Sequence, residues 1–454
     1  MRSTPAGARY YMDILRDRLL YALKRSFGRQ SSWQRIETMY AGGKYGDAAE
    51  LVLKELARNA ERVSPAGFRS FTNRLAVRID NAGGKQRDDW PIVLRITDIQ
   101  GVAGDFNPKN CAVVAPDRWI DWLEIPHQVD EIDKSIGKEL SFLATLPAGA
   151  VRTYYIYYSP TGQRDVRFVR MTGAVDNSPP NCISWESDVG AYRWYTGQFD
   201  FFGKKQFRYV PRHKQLVFPI AGGVNYHRET DWGIDGLHVG ATSGLGGLTL
   251  YTNGREYRVQ NPAGKGDVTF TRRVLASGPI RAAVEITAEN VIRDKPDLSV
   301  RTVCIVYAGH QEGELRVQVS PGGWSMRLAA GLTKLNREKV FLDKSPGCLG
   351  TWGYQDDVIG EVGLGLIVPP EALKDVIDLA DERRLLCDTS DGALRYWIIG
   401  DWRRGRQYPI APTISNWRRE LSDVCGSLLA DVKVSLGCDT VGGPGLRGAA
   451  VGSD

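Results

Sequence analysis

The chain has 454 residues, a formal net charge of +6 and 25% charged residues, spread without a run that resembles a nucleic-acid tail. That length allows two to four ordinary domains and a core large enough to fold without disulfides or metal. Seven cysteines with no CxxC pair exclude a zinc ribbon, a thioredoxin motif and a complete disulfide framework. The twelve tryptophans are the first departure from ordinary composition, and they suit either a β-rich core or flat faces for sugar rings.

Residues 8–61 read as helices. Tyr11, Ile14, Leu19, Leu20 and Leu23 recur at helical steps, a second helix covers 34–40 before Gly42-Gly43, and a third runs 47–59. This helical segment, 1–65, is expected either to pack on the main body or to serve as an oligomer contact. No apolar run of the length of a signal peptide core or membrane span is present, so the sequence as written predicts a cytoplasmic protein with no membrane partner.

From Phe68 the period changes to two. Leu75, Val77 and Ile79 alternate with polar neighbours, Val93–Ile96 follows, and 152–158 is a strongly β-forming run bracketed by turns. A small β-domain is predicted over 66–165. Short strands at 248–251, 268–275, 280–288, 298–307, 315–319 and 362–368 then predict a large domain over 166–436. The segments 280–287 and 300–307 read as long antiparallel neighbours. A helix at 416–429 and a strand at 431–436 close the fold, and 437–454 reads as a flexible tail. The fold class is mainly β, an antiparallel β-sandwich of super-sandwich type with a short N-terminal helical segment.

No HExxH, GxSxG or P-loop occurs. Gly244–Gly247 precedes a strand and reads as a tight turn. Histidine is the commonest general base, and each of the five has both a catalytic and a structural reading. His227 lies among Tyr226, Arg228, Glu229, Asp231 and Asp235 in a stretch with the density of a site-forming loop. His238 stands at a predicted strand start, where a core role is as good a reading as a catalytic one. His127, beside Gln128 and Asp130, could contact substrate or simply pack. His310 at a hairpin tip and His213 among cations read as surface residues.

In 186–205, alternation sets Tyr192 and Trp194 on one face and Arg193 and Tyr195 on the other. Arg193 could clamp a carboxylate, whereas Trp194 reads as core. Trp352 and Tyr354 with Gln355 and Asp356 read as a rim loop. Trp402 and Arg403 could bind an acidic sugar or form a salt-bridged surface.

The stretches EIPHQVD, LPAGAVRTYYIYY, WESDVGAYRWYTG, YHRETDWGIDGLHVGATSGLGGLTLY, VYAGHQEGELRV, AAGLTK, LGTWGYQDD and IIGDWRRG resemble a bacterial β-sandwich family catalogued as a domain of unknown function. The resemblance spans about residues 70–436. It implies a glycan-degrading protein whose relatives are usually periplasmic or secreted. One branch resembles ulvan-oligosaccharide dehydratases, carbon–oxygen lyases acting on uronic acids. Where that family carries an acidic calcium-binding loop, this chain has DEIDKSIGKEL, with Lys134 and Lys138 in place of acids. His238 stands where the resemblance implies a lysine.

Elimination from a uronic acid needs the carboxylate neutralised, the adjacent proton removed and the leaving oxygen protonated. Arg193 or Arg228 is expected to neutralise, His227 or His238 to act as base, and Tyr195 or Tyr226 as acid. Arg193, Arg228, His127, Gln128, Trp352, Tyr354, Trp402 and Arg403 are the expected substrate-binding residues. The alternatives are a glycoside hydrolase with two carboxylates, such as Asp231 and Asp356, and a non-catalytic carbohydrate-binding protein with Trp352 and Trp402 as platforms. No cofactor is predicted, a divalent metal is left open, and the expected partner is an anionic oligosaccharide or polysaccharide rather than nucleic acid.

Overall fold

A computed structural model describes residues 35, 38–39, 71–115, 123–177, 181–205, 227–322, 326–343, 347–405, 413–438 and 448–450. The helices predicted over 8–61 lie outside the described residues, apart from three helical positions, 35, 38 and 39. The chain is mainly β and antiparallel. It divides into two compact units, one within 1–129, 135–169 and 432–454, the other within 130–134 and 170–431.

In the first unit Asn73–Asp80 pairs with Val151–Tyr158 on one side and with Lys433–Cys438 on the other. The alternation of Leu75, Val77 and Ile79 buries one face, against Val113, Ile156 and the Ile92, Leu94, Leu140 and Phe142 side chains of a second strand pair. A short strand, Gly448–Ala450, adds to Lys433–Cys438, where the sequence pattern reads only as a loose tail.

The second unit holds an eight-stranded sheet running from Thr269–Ser277 at one edge to Asn336–Asp343 at the other, together with two five-stranded sheets. Arg281–Glu289 and Ser299–Tyr307 are neighbours over their whole length, as the sequence predicts. Apolar residues from all three sheets, among them Trp185, Trp194, Phe201, Leu250, Leu328, Cys304 and Ile398, form one continuous core. The apolar faces of these sheets cover one another in a sandwich-like arrangement.

The helix Ile414–Leu429 is capped by Thr413, whose hydroxyl accepts from the Asn416 amide at 3.3 Å. Its buried residues Trp417, Leu421 and Cys425 recur every four positions and pack with Trp352, Ile367, Trp397 and Ile399. Close approach depends on Gly363 and Gly365. A Cβ at Gly363 would meet the Trp417 indole at 2.6 Å, and one at Gly365 would meet Leu421 at 2.7 Å. Among the described residues no helix is long and apolar enough to cross a membrane.

Candidate functional site

The candidate site begins at a hairpin. Ala191–Tyr195 and Gln198–Lys204 are joined by Thr196-Gly197, both at positive φ, 52° and 97°. A two-residue turn of that kind matches strand twist. Gly197 is required twice over, since a Cβ there would also strike the Val259 carbonyl at 2.2 Å. The turn fixes the register Arg193↔Asp200 and Tyr195↔Gln198. Period-two geometry sends Tyr192, Trp194, Phe199 and Phe201 into the core. The opposite face of the same sheet carries Ser184, Glu186, Arg193, Tyr195, Asp200, Lys204 and Asp235, as the pairings with Cys182–Ser187 and Gly233–Asp235 require.

That polar face is buried. Arg193 Nη2 donates to Asp200 Oδ2 at 2.7 Å and to Asp235 Oδ2 at 3.0 Å, while its guanidinium lies 5.2 Å from the Tyr195 ring and 4.9 Å from that of Phe202. Burial, and then the neighbouring Asp235 charge, push the Asp200 carboxyl well above the usual carboxylate range despite the Arg193 cation. Asp200 Oδ1 and the Ser184 hydroxyl, in the same cross-strand row, are buried without hydrogen-bond partners. Beside them Lys204 Nζ donates to Glu186 Oε2 at 2.8 Å and to the Ser187 carbonyl at 2.7 Å.

The stretch 227–238 leads into and out of the edge strand Gly233–Asp235. His227 is exposed, with Nδ1 3.6 Å from Asp235 Oδ2. Arg228 is exposed and has no partner among the described residues. Glu229 lies below its ordinary range, held there first by the hydrogen bond from Lys205 at 2.8 Å. Its other oxygen is 3.5 Å from Arg404, which donates to the Val358 carbonyl at 2.7 Å. The Asp356 carboxylate accepts from the Val358 and Ile359 amides at 2.9 and 2.7 Å, and His238 Nε2 stands 2.7 Å from its other oxygen. Partial burial alone would raise Asp356, but the Ile359 amide and His238 outweigh it and hold the carboxyl low. A continuous polar rim thus runs from Lys205 to His238. His238 lies in a loop after Gly233–Asp235, not at a strand start as its sequence context implies, and its side chain is 60% exposed.

The structure brings His227, Tyr195 and Arg193 together through Asp235. Arg193 is matched within the fold by two carboxyls, Asp200 and Asp235. Tyr226 lies outside the described residues, as does His213. Trp402 is only 1% exposed, with Nε1 donating to the Ile359 carbonyl at 2.7 Å and its indole against Gly203. Trp352 is 4% exposed, in the cluster beneath the helix, and donates to Glu361 at 3.2 Å. Neither offers a face to a sugar, which corrects the expectation of stacking platforms. Arg403 is ion-paired with Glu361, and Tyr354 donates to Asp357.

His127 and Gln128 lie in the first unit. The His127 ring packs edge-on against Phe168, its Nε2 is 3.9 Å from the Cys111 sulfur, and burial pushes its pKa down. These are the contacts of a packed histidine. Asp130 and Asp133, in the stretch where the resemblance implies a calcium loop, are paired with Arg281 and Arg301. The guanidinium groups supply the positive charge that a cation would bring. Among the described residues no three His, Cys, Asp or Glu side chains gather as a metal site.

A family model described as "Domain of unknown function (DUF4861)" matches residues 79–434. The chain belongs to that family. The site just described, from Ser184 to Arg404, falls wholly within the DUF4861 span. No curated protein matches the chain. Among solved structures, an alpha-mannosidase from Enterococcus faecalis V583 aligns at TM-score 0.40 and 7% identity, over 89% of this chain and 50% of that one. A glycosyl hydrolase family 38 protein from Enterococcus faecalis aligns at 0.40 and 8%, over 96% and 60%. The GH36 alpha-galactosidase AgaB from Geobacillus stearothermophilus aligns at 0.26 and 10%, over 50% and 41%. The matched region spans only about half the length of these structures. Likeness this distant assigns no activity, so function is argued from the residues.

Proposed function

We propose that this DUF4861 chain is a carbohydrate-active carbon–oxygen lyase that eliminates water or an alkoxide from uronic-acid-containing oligosaccharides. The observation that carries the reading is that the stretch 227–238 presents two exposed imidazoles, His227 and His238, each facing an aspartate, Asp235 at 3.6 Å and Asp356 at 2.7 Å. Elimination needs one group to take a proton and another to return one. An aspartate behind an imidazole fixes its tautomer and stabilises its charged form, the logic of known triads. His227 is assigned as the base that removes the proton next to the sugar carboxylate. Arg228, one residue away and exposed, binds that carboxylate and offsets the charge that develops on it. His238 is assigned as the acid that protonates the leaving oxygen, and Tyr195 beneath Arg193 shapes the floor. The quoted stretches resemble the family, one branch of which resembles dehydratases, and that is in keeping with the same chemistry.

Hydrolysis by the Asp200–Asp235 pair fits less well. Those carboxyls both lie against one guanidinium nitrogen, at 2.7 and 3.0 Å, and are taken up by it, whereas glycosidase carboxyls stand about 5 Å apart or more and flank the substrate.

The test is incubation of the pure protein with a panel of uronic-acid oligosaccharides, followed by mass and ultraviolet absorbance. Loss of one water, or cleavage with a new conjugated double bond, is expected, and His227→Ala and His238→Ala should each abolish it. A new reducing end with no unsaturated ring would replace the lyase reading with a hydrolase.

A further inference from the structure

We propose that Asp200 and Asp235 hold a single proton between them under Arg193, so that the three side chains form a net-neutral unit beneath His227. This deepens the lyase reading and rests on it only for its catalytic consequence.

Three observations converge. Both carboxyls contact the same guanidinium nitrogen, at 2.7 and 3.0 Å, and one cation cannot neutralise two buried anions. Asp200 is wholly buried and its Oδ1 receives no donor. An ionised carboxylate in that position would leave part of its charge without a hydrogen bond in low dielectric, whereas a neutral carboxyl would not. Among the described residues, the remaining groups on this face supply no second cation for the pair. Lys204 is committed to Glu186 at 2.8 Å, Ser184 and Gln198 are neutral, and Cys182 and Tyr195 flank Arg193 without adding positive charge. His227 approaches from the edge loop, 3.6 Å from Asp235.

The consequence is a proton that answers to His227. While the imidazole is neutral, the proton is shared across the two carboxyls. When His227 takes a proton from substrate, the shared proton settles on Asp200, and Asp235 becomes the full counter-anion of the imidazolium. No proton enters or leaves the pair; it shifts between two oxygens while the substrate C–H electron pair forms the new double bond. Asp200 is then a positioning residue that tunes Asp235, out of contact with substrate.

The experiment is ¹³C NMR of the full chain labelled at aspartate carboxyl carbons, titrated through neutral pH without substrate. At neutral pH two aspartate resonances displaced together toward the protonated position are expected, one of them missing in Asp200→Asn and the other then ionised. In Asp235→Asn the remaining resonance should likewise move to the ionised position, because the repelling neighbour is gone and Arg193 remains. The wild-type spectrum decides even if a variant fails to fold. If every aspartate carbon is ionised at neutral pH, or if both displaced signals survive in Asp200→Asn, the shared proton is refuted. The readout needs no turnover, so failure of the lyase assay leaves it intact. If the protein is active, Asp200→Asn should retain substrate affinity and alter the pH profile of kcat, which a purely structural residue would leave in place.

Discussion

His238 Nε2 stands 2.7 Å from Asp356 Oδ2, across 118 residues of sequence. The carboxylate is fixed by two backbone amides, so the imidazole is aimed by a rigid partner. Asp356→Asn keeps the shape and removes the charge. The expected result is a fall in kcat of about 10²-fold or more, the usual size for lost acid–base catalysis, with unchanged melting behaviour. The double variant with His238→Ala should be no slower than His238→Ala alone, because members of one catalytic unit are not additive. Steady-state kinetics on a uronic-acid oligosaccharide check both. Independent, multiplying losses would separate Asp356 from His238.

Asp200 predicts a pH dependence of stability. Its folded-state carboxyl lies above the ordinary value, so between about 3.9 and that higher value the folded chain holds a proton that the unfolded chain has released. Unfolding there releases protons, and stability therefore falls as pH rises through the window, opposite to the usual aspartate case. Asp200→Asn, neutral at every pH, should flatten that slope. Denaturant titrations at a series of pH values measure it, and an unchanged slope would rule Asp200 out as its source.

Much of this was legible in the sequence, and the limits have physical causes. Alternation alone separates Arg193 and Tyr195 from Tyr192 and Trp194, and the fold keeps that division. The Arg193↔Asp200 pairing was also within reach, since a two-residue Thr196-Gly197 turn makes those positions face each other. Asp235, 42 residues from Arg193, depends on an edge strand of only three residues that carries no periodic signal. The contact of His238 with Asp356 depends on two loops meeting, which no local pattern encodes. Trp352 misled because Gly, Tyr, Gln and Asp around it look like an exposed loop. A helix from beyond residue 413 covers it, and sequence spacing cannot say which sheet face that helix chooses.

The glycine contacts under that helix predict a packing cost. Gly363→Ala drives a methyl toward the Trp417 indole, where a Cβ would lie 2.6 Å from the nearest ring atom. Overpacking of this kind costs about 1–3 kcal/mol. Thermal or denaturant unfolding should show it, together with a change in the fluorescence of the buried Trp417. A variant as stable as the parent would mean that the helix moves off the sheet without cost.

Trp402 separates a core tryptophan from a sugar platform by the kind of damage its loss does. It is 1% exposed, its indole lies on Gly203, and its Nε1 satisfies the Ile359 carbonyl. Ile359 also donates its amide to Asp356, so the indole supports the same loop that aims His238. Trp402→Ala should cost about 3–5 kcal/mol of stability through the cavity it leaves. Trp402→Phe fills most of that space and loses chiefly the hydrogen bond, about 0.5–1.5 kcal/mol. Because the loop shifts with the lost support, kcat should fall in Trp402→Phe while KM changes little. A platform would give the reverse, weaker sugar binding at unchanged stability. Unfolding curves and substrate kinetics on the two variants therefore distinguish a buried strut from a binding surface.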